Sequence, residues 1–251
     1  MAVPVHKNPS SDLTIFVDPS WLIASEKYLI SHALETVLVE LGSEQIIQRK
    51  VDEFVSGFNG IYQLTERDID GFCTRLEQTT PKQHTTKLLE FISLRNTVST
   101  YVTQNFNEIA DCLHRSFEFR PDKLDMSLHH EVLCSGIEYA VNNIKRNKSI
   151  IMITGSPAKT ECRRVIEMAA KRRVKIHVLF ATDGKAAQGD IEFYKYMTSA
   201  LKGQFFELRR SIITEMKLEH IFRSIIAPTN LATTWSNNQK KPDSPYSYLA
   251  N

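Results

Sequence analysis

No apolar run in this 251-residue chain approaches the roughly 20 residues that a membrane-spanning helix needs. The first residues, Met-Ala-Val-Pro-Val-His-Lys-Asn-Pro, lack the apolar core of a secretion signal. Charge of one sign is also missing: 31 basic against 29 acidic residues leave a formal +2, so binding to nucleic acid would need a local patch. The four cysteines, Cys73, Cys112, Cys134 and Cys162, are scattered without a C-x-x-C pair. A zinc site of local spacing is thereby unsupported, and disulfides are not demanded. Glycine is sparse, at nine residues. There is no G-x-S-x-G elbow and no glycine-rich phosphate loop. The nearest approach, Thr154-Gly-Ser-Pro157, has one glycine and a proline that removes a backbone donor. These absences lower the case for an enzyme.

What is present is a 42% hydrophobic chain able to bury a sizeable core. Residues 149–184 read as buried strand, turn, helix, buried strand. Both apolar runs are short and rich in β-branched residues, as suits a parallel sheet covered on both faces. Between them Cys162, Val165, Ile166 and Ala169 form one apolar helical face with cations opposite. This βαβ unit predicts an α/β, Rossmann-like fold: a mostly parallel central sheet flanked by helices.

A second strand-to-helix unit opens the chain. Leu13–Val17 is a short strand ended by Asp18-Pro19-Ser20, and Ile30, Leu34, Val37, Leu38 and Leu41 share a helical stripe that Gly42 is expected to stop. From 43 to 119 the chain reads as largely helical. Helices are predicted around 46–58 and 66–76, and over Thr86–Phe119, where Leu88, Ile92, Val102, Phe106, Ile109, Leu113 and Phe117 approach helical spacing. Gly60–Leu64 is the one strand candidate there, and Pro121 ends the region. A helix from about Leu128 to Ile144 follows, with Gly136 allowing close approach to the sheet. Asp190 is read as the N-cap of a helix ended by Gly203, Gln204–Leu208 as an edge strand, and Thr214–Ile226 as the last helix with Leu218, Ile221, Phe222 and Ile225 inward. Residues 1–10 and the polar, proline-bearing stretch 228–251 read as tails flanking one domain over 11–227.

The order of these elements, with Asp18-x-Ser20 after the first strand, Ser135-Gly-Ile-Glu-Tyr-Ala-Val-Asn-Asn143, Ile150-Ile-Met-Ile-Thr-Gly155 and Phe205-Phe-Glu-Leu208, resembles the von Willebrand factor A domain, and within it the A domains of collagen VI-type chains. The resemblance implies a protein-interaction module. It also implies a β-hairpin after the first helix, where this sequence reads as helical, and a metal-ion-dependent adhesion site of oxygen ligands suited to Mg²⁺. Asp18 and Ser20 match that site's Asp-x-Ser-x-Ser. Leu22 stands where the second Ser would be, and Gly155 in Thr154-Gly155-Ser156 stands where an Asp is usual. Two protein ligands are lost, one of them charged, so no metal and no other cofactor are expected.

In open α/β sheets ligands bind at the carboxyl ends of the strands. The crevice there is expected to be lined by Asp18, Ser20, Thr154, Ser156 and Asp183. Against a ligand role stand simpler ones: Asp18 capping the turn with Ser20, and Asp183 as a turn residue before Gly184. His129-His130-Glu131 and Cys112-Leu-His114 have the wrong spacing for zinc on a helix, which needs i and i+4. Cys112 and Cys134 read as small apolar residues packed inside. Arg163, Arg164, Lys171, Arg172 and Arg173 form a candidate basic patch on one helix, and Lys145, Arg146 and Lys148 another in one turn. Without interleaved aromatics both read first as solvated surface.

The sequence reading is therefore a non-catalytic, metal-independent A-type module that recognises a protein partner, in matrix assembly or adhesion if the collagen VI-like resemblance holds. The alternative is an intracellular scaffold subunit of a multiprotein complex, nucleic-acid associated, with the helical segment 43–119 as its interface. The sequence as given suggests cytoplasm or nucleus, and the extracellular space if it is a fragment of a collagen VI-like chain. Membrane insertion is not expected.

Overall fold

Ser11–Val17 forms β1, five of whose seven residues are apolar or β-branched and fully enclosed. In the computed structural model this strand lies at the centre of a six-stranded sheet. The structure describes residues 11–57, 69–74, 84–94, 98–118, 126–156, 163–182, 188–209 and 213–227. A short 3₁₀ turn, Pro19–Trp21, leads into α1 (Ala24–Gly57). Then come β2 (His84–Leu94), β3 (Val98–Asn105), α2 (Phe106–Phe117), α3 (Met126–Asn143), β4 (Ile144–Thr154), α4 (Arg163–Arg172), β5 (Lys175–Thr182), α5 (Gln188–Ala200), β6 (Phe205–Arg209) and α6 (Glu215–Ile226). Residues 69–74 are also helical. The strand order is β3-β2-β1-β4-β5-β6, parallel throughout except for β3, which pairs antiparallel with β2. The predicted α/β class, with a mostly parallel sheet between helices, is the one observed.

Successive strand side chains point to opposite faces, and each face carries its own core. Ile15, Val17, Phe91, Ile151, Ile153 and Leu179 meet α1, α2 and α6. Phe16, Ile92, Leu94, Ile150, Met152, Val178 and Phe180 meet α3, α4 and α5. Double-sided burial explains why the central strands read as continuous apolar runs. Gly136 faces the second core, where an added Cβ would lie 2.9 Å from Phe16 Cε2 and 3.1 Å from Leu94 Cδ1. The close approach predicted for it is present. On the other face α1 and α6 lie side by side in the same direction, with His32 against Glu215 and Glu40 against Arg223 one span further on.

Several expectations are corrected. His84–Leu94 and Val98–Asn105 are not helical but form the antiparallel pair β2–β3, the element the von Willebrand factor A resemblance implies at this point. Leu88 and Ile92 fall at helical spacing by coincidence: in β2, Leu89 and Phe91 enter one core while Ile92 and Leu94 enter the other, which blurs the period of two. The helical reading holds for α2, which starts at Phe106 with Asn105 as its cap. Gly42 does not stop α1. It gives room to the Phe106 ring, whose Cε1 would lie 2.3 Å from an added Cβ. Asp190 is not an N-cap, because α5 already begins at Gln188. Ile221 is only partly buried, whereas Leu218, Phe222 and Ile225 are enclosed as expected. Cys134 is disulfide-bonded and half-buried rather than a packed thiol, while Cys112 is a buried free thiol. Lys145, Arg146 and Lys148 lie along the start of β4 rather than in a turn. The strand candidate 60–64, Pro121, Asp183 and both tails lie outside the described residues.

Candidate functional site

The turn after β1 and the turn after β4 meet at the carboxyl ends of the two central strands. The Asp18 backbone N–H donates to Ile153 O at 2.9 Å, extending the ladder by one bond, and its side chain is fully buried. Asp18 Oδ1 accepts from the Ser20 backbone N–H at 3.2 Å, the cap expected of an Asp before a helical turn. Oδ2 accepts from Thr154 Oγ1 at 3.1 Å and from Ser156 Oγ. Thr154 Oγ1 in turn accepts the Ser156 N–H at 3.0 Å, and Ser156 O accepts from the Tyr194 hydroxyl at 3.1 Å. Four of the five sequence-predicted residues thus come together, with Asp18, Thr154 and Ser156 in one buried network. Ser20 joins through its backbone, and its Oγ is buried without a hydrogen-bond partner among the described residues. Asp183 lies outside the described residues. Tyr194, which pins the Ser156 turn from α5 and packs against Phe180 at 5.2 Å, was not singled out by sequence. Its place three residues from both Ile191 and Met197 and seven from Leu201 puts it on one apolar helical face in the sequence.

Leu22, at the position of the missing second Ser, is buried in the core beside α1. Glu26, 3% exposed in the first turn of α1, accepts the Ile23 N–H at 2.9 Å and closes that helix end. Among the described residues no three His, Cys, Asp or Glu side chains gather as a metal site. His114 is exposed next to buried Cys112, and the side chains of His129, His130 and Glu131 in α3 are outside the described set.

Two buried ionisable groups lie away from this corner and were missed by sequence because each sits inside an apolar strand. Glu90 on β2 accepts from Ser11 Oγ and Thr14 Oγ1, both at 3.0 Å. Burial raises its pKa, and these two hydroxyls offset part of the rise. His177 on β5 is 5% exposed, and its Nδ1 has no hydrogen-bond partner among the described residues. Burial, aided by the Lys175 charge, lowers its pKa to about 4. Because the folded value lies below the ordinary 6.5, native His177 is neutral, and its share of stability is present above pH 6.5 and lost as pH falls toward 4. The loss reaches about 3 kcal/mol at full protonation. His177→Leu is therefore expected to flatten the fall in urea-unfolding free energy between about pH 7 and about pH 4.5 by about 2 kcal/mol. An unchanged pH slope would refute the assignment.

The basic residues divide. Arg163 and Arg164 open α4 at the same pole as Asp18, whereas Lys171, Arg172 and Arg173 lie at its far end, about 12 to 15 Å away at 1.5 Å per residue. The single patch predicted from sequence is two.

The strand order, the antiparallel edge hairpin after the first helix and the Asp-x-Ser turn after β1 make the fold von Willebrand factor A-like. No family model and no curated protein matches the sequence. Among solved structures the chain is similar to a von Willebrand factor type A protein from Catenulispora acidiphila, at 10% identity and a TM-score of 0.48, over 87% of this chain and 42% of that one. It is also similar to an aerotolerance-related membrane protein from Bacteroides fragilis, at 9% and 0.49 over 86% and 96%. A third is proximal thread matrix protein 1 from the mussel byssus, at 10% and 0.41 over 87% and 48%. The chain spans less than half the length of the first and third of these. Among the described residues no helix is long and apolar enough to cross a membrane.

Proposed function

We propose that residues 11–227 form a non-catalytic, metal-independent protein-interaction module that recognises its partner with the surface at the carboxyl pole of the sheet. The observation that carries this reading is the closed network around Asp18. Both carboxylate oxygens accept hydrogen bonds from the chain itself, and two of the donors, Thr154 and Ser156, are hydroxyls that an oxygen-liganded cation would need. Leu22 is turned into the core where a further oxygen ligand would stand. Among the described residues the corner holds one carboxylate with its oxygens engaged, which does not supply the oxygen-rich, near-octahedral set that Mg²⁺ demands.

Exposed apolar side chains support a protein contact at this pole. Ile23 and Tyr28 flank the start of α1 and are 45% and 66% exposed, and Met216 in the first turn of α6 is 80% exposed. The parallel packing of α1 and α6 puts both helix starts at the same end of the sheet, as the His32–Glu215 contact records. Apolar groups gathered next to a recognised turn suit a protein partner better than a small polar ligand. The reading is tested by thermal melts of the purified chain with Mg²⁺, with Mn²⁺ and with chelator. Equal midpoints in all three are expected, since a ligand of the folded state alone raises stability by RT ln(1 + [L]/Kd). A rise with either ion that chelator reverses would overturn metal independence.

A further inference from the structure

The cations that the sequence scattered into separate clusters are brought by the topology to one pole, the amino ends of the strands, opposite the Asp18 corner. β4 begins there with Lys145, Arg146 and Lys148. α4 ends there, and Arg172 donates through Nη2 to Ile144 O at 2.6 Å, which ties the helix end to the start of β4. Arg173 follows in a left-handed conformation at φ 56°, and Lys175 opens β5, level with Ser149 on β4. Lys202 is carried in by the loop that presses Gly203 against Ile176 O. Lys87 on β2 completes the row. Burial, and then the Lys148 charge, lower its pKa, while Asp12 works the other way.

Asp12 is the carboxylate that answers these cations among the residues described here. It accepts from Lys145 Nζ at 2.8 Å and has Lys148 Nζ at 3.5 Å. Burial opposes its ionisation, but the Lys145 and Leu88 hydrogen bonds and the two lysine charges hold its pKa below the usual carboxylate value. A chain with a net charge of only +2 has therefore concentrated positive charge at one end.

We infer that this pole, built from Lys87, Lys145, Arg146, Lys148, Arg173, Lys175 and Lys202, is a binding surface for the phosphate backbone of double-stranded nucleic acid, independent of its sequence. Length is compatible: β2 to β6 is five adjacent strands, about 19 Å at 4.8 Å per step, which faces roughly six base pairs at 3.4 Å each. Chemistry selects the partner class. Among the described residues none of the exposed large apolar side chains lies on β2, β4, β5 or α4, and α5 carries one, Tyr196, so the strand ends and α4 offer a protein no apolar anchor. What they offer is spaced point charges, which is what phosphates take.

The test is fluorescence anisotropy of labelled DNA duplexes, about 20 base pairs long and of two unrelated sequences, titrated with the full chain at several salt concentrations. Equal affinity for both sequences is expected, with log K falling against log salt at a slope of about −4, hence a loss of roughly 10²-fold between about 50 and 200 mM salt. The double variant Lys148→Glu, Arg173→Glu should weaken binding at least tenfold while its circular dichroism spectrum is unchanged. Asp12→Asn keeps an acceptor for Leu88 N–H and should tighten binding. Three results would overturn the inference. These are no binding at low salt, displacement by poly-glutamate as effective as by unlabelled duplex, which would point to an acidic polypeptide, or sensitivity to Arg163→Glu, Arg164→Glu instead.

Discussion

Replacing Asp18 by alanine is expected to destabilise the chain by about 3–5 kcal/mol, with a drop in melting midpoint of about 10 °C. The reason is bookkeeping of donors, not loss of a charge pair. The carboxylate is fully buried and holds the Ser20 N–H, the Thr154 hydroxyl and the Ser156 hydroxyl at once. Deleting it strands donors on two separate turns, and each stranded buried donor costs about 1–3 kcal/mol, reduced where a hydroxyl can rotate. Asp18→Asn retains an acceptor for Ser20 N–H but presents an amide to two hydroxyls that must turn to accept. It should cost about 1–2 kcal/mol, clearly less than alanine. Thr154→Val, which removes one donor together with the acceptor for Ser156 N–H, should fall between the two. Chemical denaturation with the m-value checked for each variant decides the order. A near-neutral Asp18→Ala would mean that the network contributes nothing to the fold, and the argument that it closes the corner would fall with it.

The same corner shows what could be read in advance. Asp18 and Ser20 were legible because a short strand followed by Asp-Pro-Ser is a local signal, as is Thr154-Gly-Ser after an apolar run. Their meeting depends only on β1 and β4 being neighbours, which the parallel βαβ pattern implies. The engagement of both Asp18 oxygens was not legible, since hydrogen-bond partners across 136 and 138 residues leave no mark on spacing. The β2–β3 hairpin was missed for a physical reason. A strand buried on both faces shows no alternation, and Leu88 with Ile92 imitates a helical turn. Thr85, Thr86 and Ile92 in β2, then Val98, Thr100, Val102 and Thr103 in β3, with polar Arg95-Asn96-Thr97 between, carried the correct β-branched signal. The basic pole was invisible for the converse reason. Its members are spread from Lys87 to Lys202, and only the strand order brings them to one end.

Gly203→Ala is expected to be more damaging than any other substitution of a single methyl group considered for this chain, with a cost above about 4 kcal/mol or loss of a cooperative transition. An alanine Cβ at this position would lie 1.8 Å from Ile176 O and 2.6 Å from Ile176 C, inside covalent-scale distances from backbone. The neighbour cannot give way. Ile176 is in β5, paired with β4 on one side, and beside it Val178 N–H donates to Gln204 O at 2.9 Å on the other. Gly203 itself is fixed, because its N–H donates to Thr198 O at 2.8 Å and closes α5, and Lys202 before it holds the left-handed φ of 55° that turns the chain. Relief would require pulling β6 from the sheet. Gly136→Ala meets only the tips of the Phe16 and Leu94 side chains, at 2.9 and 3.1 Å, and should cost about 1–2 kcal/mol as those side chains shift. Gly71→Ala has open space around it in a helical segment and should stabilise by about 0.5–1 kcal/mol through helix propensity. The three melts together separate backbone collision from side-chain crowding and from propensity. If Gly203→Ala melted within a few degrees of Gly136→Ala, the loop between α5 and β6 would have to be able to lift from β5, and the loop could not hold Lys202 at the cationic pole.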